Sequence, residues 1–129
     1  MVIWQLSKDN VKSPNDLTEI QGTLKSYSFV ESRGIKTHTF SYYIYLENYN
    51  NSSKIPVDFV KCLFKEYFER DVKNGDLISL KISKESVKKL HSGKKLEIFS
   101  IRYKGSEYLV ENLTIQKHNS KFPFYGGIL

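Results

Sequence analysis

From Thr37 to Tyr49 the chain alternates apolar and polar side chains with a period of two, and no other stretch constrains the fold as tightly. Phe40, Tyr42, Ile44 and Leu46 fall on one side, while Thr39, Ser41, Tyr43, Tyr45 and Glu47 fall on the other. A pleated strand with one face against a core uses that pattern. Leu17 to Ser32 carries the same period with one fault. Ile20, Gly22 and Leu24 share a side, but Tyr27 and Phe29 continue it out of phase by one residue. A bulge or bend near Ser26 restores the phase, and Gly22 offers a second place to bend. Arg33-Gly34-Ile35-Lys36 is the expected turn between these two strands. Further strands are expected over Lys54 to Val57, over Leu77 to Ser83 with Ile78, Leu80 and Ile82 inward, over Leu96 to Tyr103, and over Tyr108 to Val110 after a Lys104-Gly105 turn.

Between the third and fourth strands the period changes from two to 3.6. Phe59, Val60, Leu63, Phe64, Tyr67 and Phe68 form an apolar stripe, with Lys61, Lys65, Glu66 and Glu69 opposite, so the spacing predicts one helix over Asp58 to Arg70. Asp58 is the expected N-cap, and Val57 with Cys62 the expected hydrophobic staple. Phe59, Leu63 and Phe64 are expected in the core together with Ile44, Leu80 and Ile101. Asn74-Gly75-Asp76 reads as a turn. Lys84 to Gly93 is a polar excursion with room for one helical turn. Glu111 to Asn119 reads as a short helix packed through Val110, Leu113 and the stem of Lys117.

The order of a long bent strand, a hairpin, a short strand, a helix, a Gly75-Asp76 turn and two more strands resembles the oligonucleotide/oligosaccharide-binding (OB) fold. The resemblance covers Leu17 to about Val110. It implies a mainly β, five- to six-stranded barrel with its helix between strands three and four. More narrowly, the run from Asp16 to Leu24, the Tyr42-x-Ile44-x-Leu46 strand, Gly75-Asp76 and the hairpin from Lys104 to Leu109 are similar to small uncharacterised bacterial proteins, some of which carry membrane spans after such a domain. The whole chain, 1–129, is expected to be one such domain, with 1–16 as a leading segment and 111–129 as a C-terminal helix and apolar tail.

Composition agrees with a single folded β-rich unit. The chain has 129 residues, 40% of them hydrophobic, with nine Tyr and eight Phe, residues that suit half-buried strands. The formal charge of +6 is concentrated. Lys81 to Lys104 holds eight basic and two acidic residues, which accounts for all of it. Such a segment attracts phosphate or anionic lipid, or simply solubilises a loop, and lysine rather than arginine dominates it. Cys62 is the single cysteine, which excludes an intramolecular disulfide. No secretory signal and no apolar run of membrane-spanning length is present, which points to a cytoplasmic protein, or alternatively to the soluble domain of a membrane-anchored one.

Residues for chemistry are not grouped in the sequence. His38, His91 and His118 stand singly, without the spacing of a metal pair, and Cys62 has no local base. No glycine-rich phosphate loop precedes a helix, so no small-molecule cofactor is expected. The sequence therefore points to a non-catalytic binding module whose partner is a protein or a membrane assembly. Single-stranded nucleic acid is the alternative ligand, and a hydrolase the weaker alternative. On an OB barrel the outer face of strands two and three is where bases stack. Tyr43 and Tyr45 are the candidates there, with Lys25 and Lys36 as neighbouring cations and Lys88, Lys89, Lys94 and Lys95 as phosphate contacts. Against the nucleic-acid reading, these aromatics and the lysine cluster lie on different strands.

Overall fold

The computed structural model describes residues 11–120. The strands are β1 (Leu17–Arg33), β2 (His38–Leu46), β3 (Ser52–Ile55), β4 (Leu77–Ser83), β5 (Leu96–Tyr103) and β6 (Ser106–Leu109). Helix α1 (Lys65–Asp71) lies between β3 and β4, and α2 (Glu111–Ser120) follows β6. Neighbouring strands run in the order β3-β2-β1-β4-β5-β6, and β3 also pairs with β5. That last pairing is parallel, Ser53 with Leu96 and Lys54 with Glu97, and it closes five strands into a barrel with β6 as an extra strand. The element order in a closed five-stranded barrel is compatible with an OB-like fold.

β1 serves two neighbours because it bends. Leu17 to Thr23 pair with β4, and Leu24 to Arg33 pair with β2. The register slips between Leu24 and Ser26, leaving Lys25 as the extra residue of a bulge, which is how Tyr27 and Phe29 return to the inward face. Gly22 packs against Leu46 and Asn48 at the end of β2. A Cβ there would stand 2.2 Å from Asn48 Oδ1 and 2.9 Å from Leu46 Cδ1, so no side chain fits without displacement. Inside the barrel, Leu24, Ile44, Ile55, Leu80, Ile82, Ile98 and Ile101 are fully buried.

The predicted helix over Asp58 to Arg70 is broken in two. Val57–Cys62 is a 3-10 segment, Leu63 is extended at φ −99° and ψ 127°, and only Lys65–Asp71 is α-helical. The break is made by β6. Leu63 forms an antiparallel bridge with Leu109, the Phe64 N–H donates to the Tyr108 carbonyl at 2.7 Å, and the Val110 N–H donates to the Cys62 carbonyl at 3.2 Å. Phe59, Leu63 and Phe68 are buried as the stripe requires, but Phe64 is half exposed rather than in the core. Asp58 is not the cap, since Pro56 precedes the 3-10 segment and Phe64 precedes α1. Nor does Val57 staple Cys62, because Val57 is exposed while Cys62 is buried.

Two further expectations are corrected at the C-terminal end. β6 begins at Ser106 rather than Tyr108, because Tyr103 pairs with Ser106 directly across the Lys104-Gly105 turn, whose residues take φ of 51° and 83°. α2 packs through Glu111, Thr114 and Ile115, and Leu113 is exposed. Polar contacts set that rotation. The Lys81 ammonium meets the Glu111 carboxylate at 3.0 Å, and the buried Thr114 hydroxyl lies 2.7 Å from the Phe99 carbonyl. The apolar tail from Phe122 to Leu129 and the leading patch from Val2 to Leu6 lie outside the described residues.

Candidate ligand-binding face

Tyr43 and Tyr45 leave the outer surface of β2 as half-buried neighbours, with ring centroids 6.3 Å apart and planes 19° from parallel. Strand register determines what flanks them. Tyr43 lies between Ser28 of β1 and Lys54 of β3, and Tyr45 lies between Ser26 and Ser52. Residues paired across a sheet share a face, so Lys54 is the cation beside the tyrosines. Lys54 was not singled out from the sequence, although its alternation with buried Ser53 and Ile55 marks it as outward.

The six cations expected around or beyond this pair are placed differently. Lys25 is exposed at the β1 bulge, next to Ser26 and hence next to the Tyr45 rung. Lys36 does not join them. It lies in the turn beyond the Arg33–His38 pair, and five strand rises alone separate His38 from Tyr43, roughly 17 Å. Lys94 and Lys95 are exposed just ahead of Leu96, whose partner is Ser53. Barrel closure therefore brings the lysine-rich segment to β3, on the strand next to the tyrosines, an adjacency that separation in sequence concealed.

That segment is held in place by the asparagine-rich loop before β3. Asn51 is buried, and its amide nitrogen donates to the carbonyls of Lys89 at 2.8 Å and Lys94 at 2.7 Å. Its carbonyl oxygen accepts from the His91 N–H at 2.9 Å. Asn50 accepts from the Gly93 N–H at 3.1 Å, and the Tyr49 and His91 rings stack at 5.0 Å. His91 takes a φ of 65°, a left-handed backbone that these contacts hold. Lys88 is exposed and Lys89 half buried on the same clamped segment.

Other basic residues of the charged run have structural partners. Lys81 pairs with Glu111, Arg102 lies 3.6 Å from Glu107, and the Lys104 ammonium sits 5.3 Å over the Tyr103 ring. His38 contacts Glu31, and His118 meets the Phe99 ring edge-on. Among the described residues no three His, Cys, Asp or Glu side chains are placed to hold a metal ion, and no helix is long and apolar enough to cross a membrane. Cys62 is buried, which pushes its thiol above the ordinary cysteine range and away from the reactive thiolate.

Away from this face, the half-exposed Phe64 and Tyr67 rings border an open groove of about 290 Å³ with Arg70 and Tyr108. The Arg70 guanidinium lies 4.8 Å over the Tyr67 ring and bonds the Asp71 carboxylate, which also accepts from the Tyr108 hydroxyl at 2.9 Å. No family model, curated protein or solved structure matches this chain.

Proposed function

We propose that the protein is a non-catalytic binding module that takes a protein partner on a projecting arm formed by β1 and β2. One observation carries this reading. β4 accompanies β1 only as far as Thr23, and β3 accompanies β2 only from Tyr42 onward. The remaining ribbon extends to the Arg33–His38 pair with no strand on either outer edge among the described residues. Val30 on this arm is 52% exposed and Ile35 fully so. Unpaired backbone donors and acceptors beside apolar side chains are what an extended protein segment satisfies when it adds a strand.

The test is a titration of isotope-labelled protein with a panel of extended peptides of alternating apolar and polar residues. Amide signals of β1 beyond the bulge should shift. Shifts confined to the barrel body, or none at millimolar peptide, would overturn the reading.

A second reading, single-stranded nucleic acid, is favoured by the adjacency of Tyr43, Tyr45, Lys54 and the clamped lysine segment. Stacked bases and phosphate contacts would then occupy one continuous face. Oligonucleotide binding should weaken steeply with salt. Tyr43→Ala or Tyr45→Ala should each cost roughly 1 to 3 kcal/mol per stacked base, and Lys94→Ala should flatten the salt slope. Equal weak binding by wild type and the double tyrosine variant in fluorescence anisotropy removes this reading.

A further inference from the structure

We propose that the partner of the arm is a second copy of this chain, joined by antiparallel pairing of the two β1 edges about a two-fold axis at Ser32. The inference rests on the reading of the arm as a docking edge, and it follows from which backbone groups face outward. The Gly34 N–H donates to the Thr37 carbonyl at 2.6 Å, which makes Gly34–Thr37 a hydrogen-bonded rung. Rungs of an antiparallel ladder alternate between bonded and non-bonded pairs. Arg33–His38 is therefore non-bonded, Ser32–Thr39 bonded, and so on along the register. Arg33, Glu31, Phe29 and Tyr27 accordingly turn their N–H and C=O groups away from β2, toward the open edge.

Symmetric pairing of that edge has three central choices. An axis at Glu31 sets Glu31 against itself, and like charges directly opposite are unfavourable. An axis at Val30 sets Glu31 against Phe29 with no cation, and it carries the pairing to Tyr27, whose ring is already engaged by Phe68 at 5.2 Å. An axis at Ser32 sets Glu31 against Arg33 of the second copy, twice. Within one chain Glu31 and Arg33 already lie 3.6 Å apart on one face. The two copies thus assemble a square of four charges with alternating sign. The same register brings Ile35, the most exposed large apolar residue described, toward Phe29 of the second copy.

Exposed ion pairs add little affinity, so the charges fix the register while the edge hydrogen bonds and Ile35 supply the attraction. The paired surface is small, and a dissociation constant on the order of 100 µM is expected.

Sedimentation equilibrium across that range, on wild type, Glu31→Arg, Arg33→Glu and the double variant E31R/R33E, tests the proposal. All three variants substitute exposed positions on the arm and should keep the circular dichroism of the wild type. Each single change sets like charges against each other twice and should weaken association at least tenfold. The double variant restores opposite charges across the axis and should recover dimerisation, even though Glu31 no longer meets His38. A folded double variant that stays monomeric while wild type dimerises overturns the proposal. A monomeric wild type overturns it as well. If edge amides of that monomer still shift with extended peptides, the docking edge stands without self-association; if they do not, both readings fall.

Discussion

Leu63 and Leu109 face each other in an antiparallel bridge one residue pair long, and that bridge divides the segment after β3 into a 3-10 turn and a short α-helix. By extending the backbone at Leu63, it keeps this side chain in the core and turns Phe64 into the groove beside Tyr67. The two adjacent residues therefore differ in what they contribute to stability. Leu63→Ala should cost about 2 to 5 kcal/mol, the range for emptying a buried leucine site. Phe64→Ala should cost about 1 kcal/mol, since half of its ring is already in solvent. Urea unfolding of the two variants checks this, and equal losses would contradict the placement.

Gly22 is required by Asn48. Gly22→Ala should destabilise the barrel by about 1 to 3 kcal/mol, because the added methyl meets the Asn48 carboxamide. Asn48 also donates to the Gln21 carbonyl at 3.1 Å, so it cannot swing away freely. In Gly22→Ala/Asn48→Gly the carboxamide is gone, and the cost of the alanine should fall. Thermal melts of the four members of this cycle give the coupling directly.

Thr114 anchors α2 to the barrel through its hydroxyl. The oxygen lies 2.7 Å from the Phe99 carbonyl and 2.9 Å from the Glu111 carbonyl, in a fully buried position. Thr114→Val keeps the shape and leaves a buried carbonyl without its donor, which should cost about 1 to 3 kcal/mol. Faster hydrogen exchange of α2 amides than of β5 amides in this variant would locate the loss at the helix.

Among the described residues, four carboxyls sit below their ordinary range in the folded protein. A contact with His38 lowers Glu31, the Arg70 guanidinium and then the Tyr108 hydroxyl lower Asp71, and backbone N–H groups of Lys73 and Lys12 lower Asp76 and Asp16. A carboxyl depressed on folding contributes stability that is full above its unfolded value, about 4, and is lost as pH falls through the folded value. The urea midpoint should therefore decline as the solution is acidified below about pH 5. Asp76→Asn should lower the midpoint at neutral pH and make the acid decline shallower. A midpoint independent of pH from 6 to 2 would contradict these assignments.

What the amino-acid order determined by itself is local and periodic. Two-residue alternation placed β4 and β5 at their observed bounds and put Tyr42, Ile44 and Leu46 inside. The phase fault between Leu24 and Tyr27 marked the bulge, because a strand that must keep one face buried can absorb an odd residue only that way. The alternation of β2 also put Tyr43 and Tyr45 outside together. Contacts between distant segments were decided by the tertiary structure alone. The 3.6-residue stripe from Phe59 to Phe68 specified a buried face but not a continuous helix, since the competing hydrogen bonds with Tyr108 and Val110, which frame the Leu63–Leu109 bridge, come from more than forty residues away. Likewise, the antiparallel β2–β3 pairing set Lys54 beside Tyr43, and only the parallel β3–β5 pairing carried the lysine segment to that neighbouring strand. Periodicity fixes which way a side chain points relative to its own strand; which strand lies next to it depends on how the barrel closes, and that is a property of the whole core.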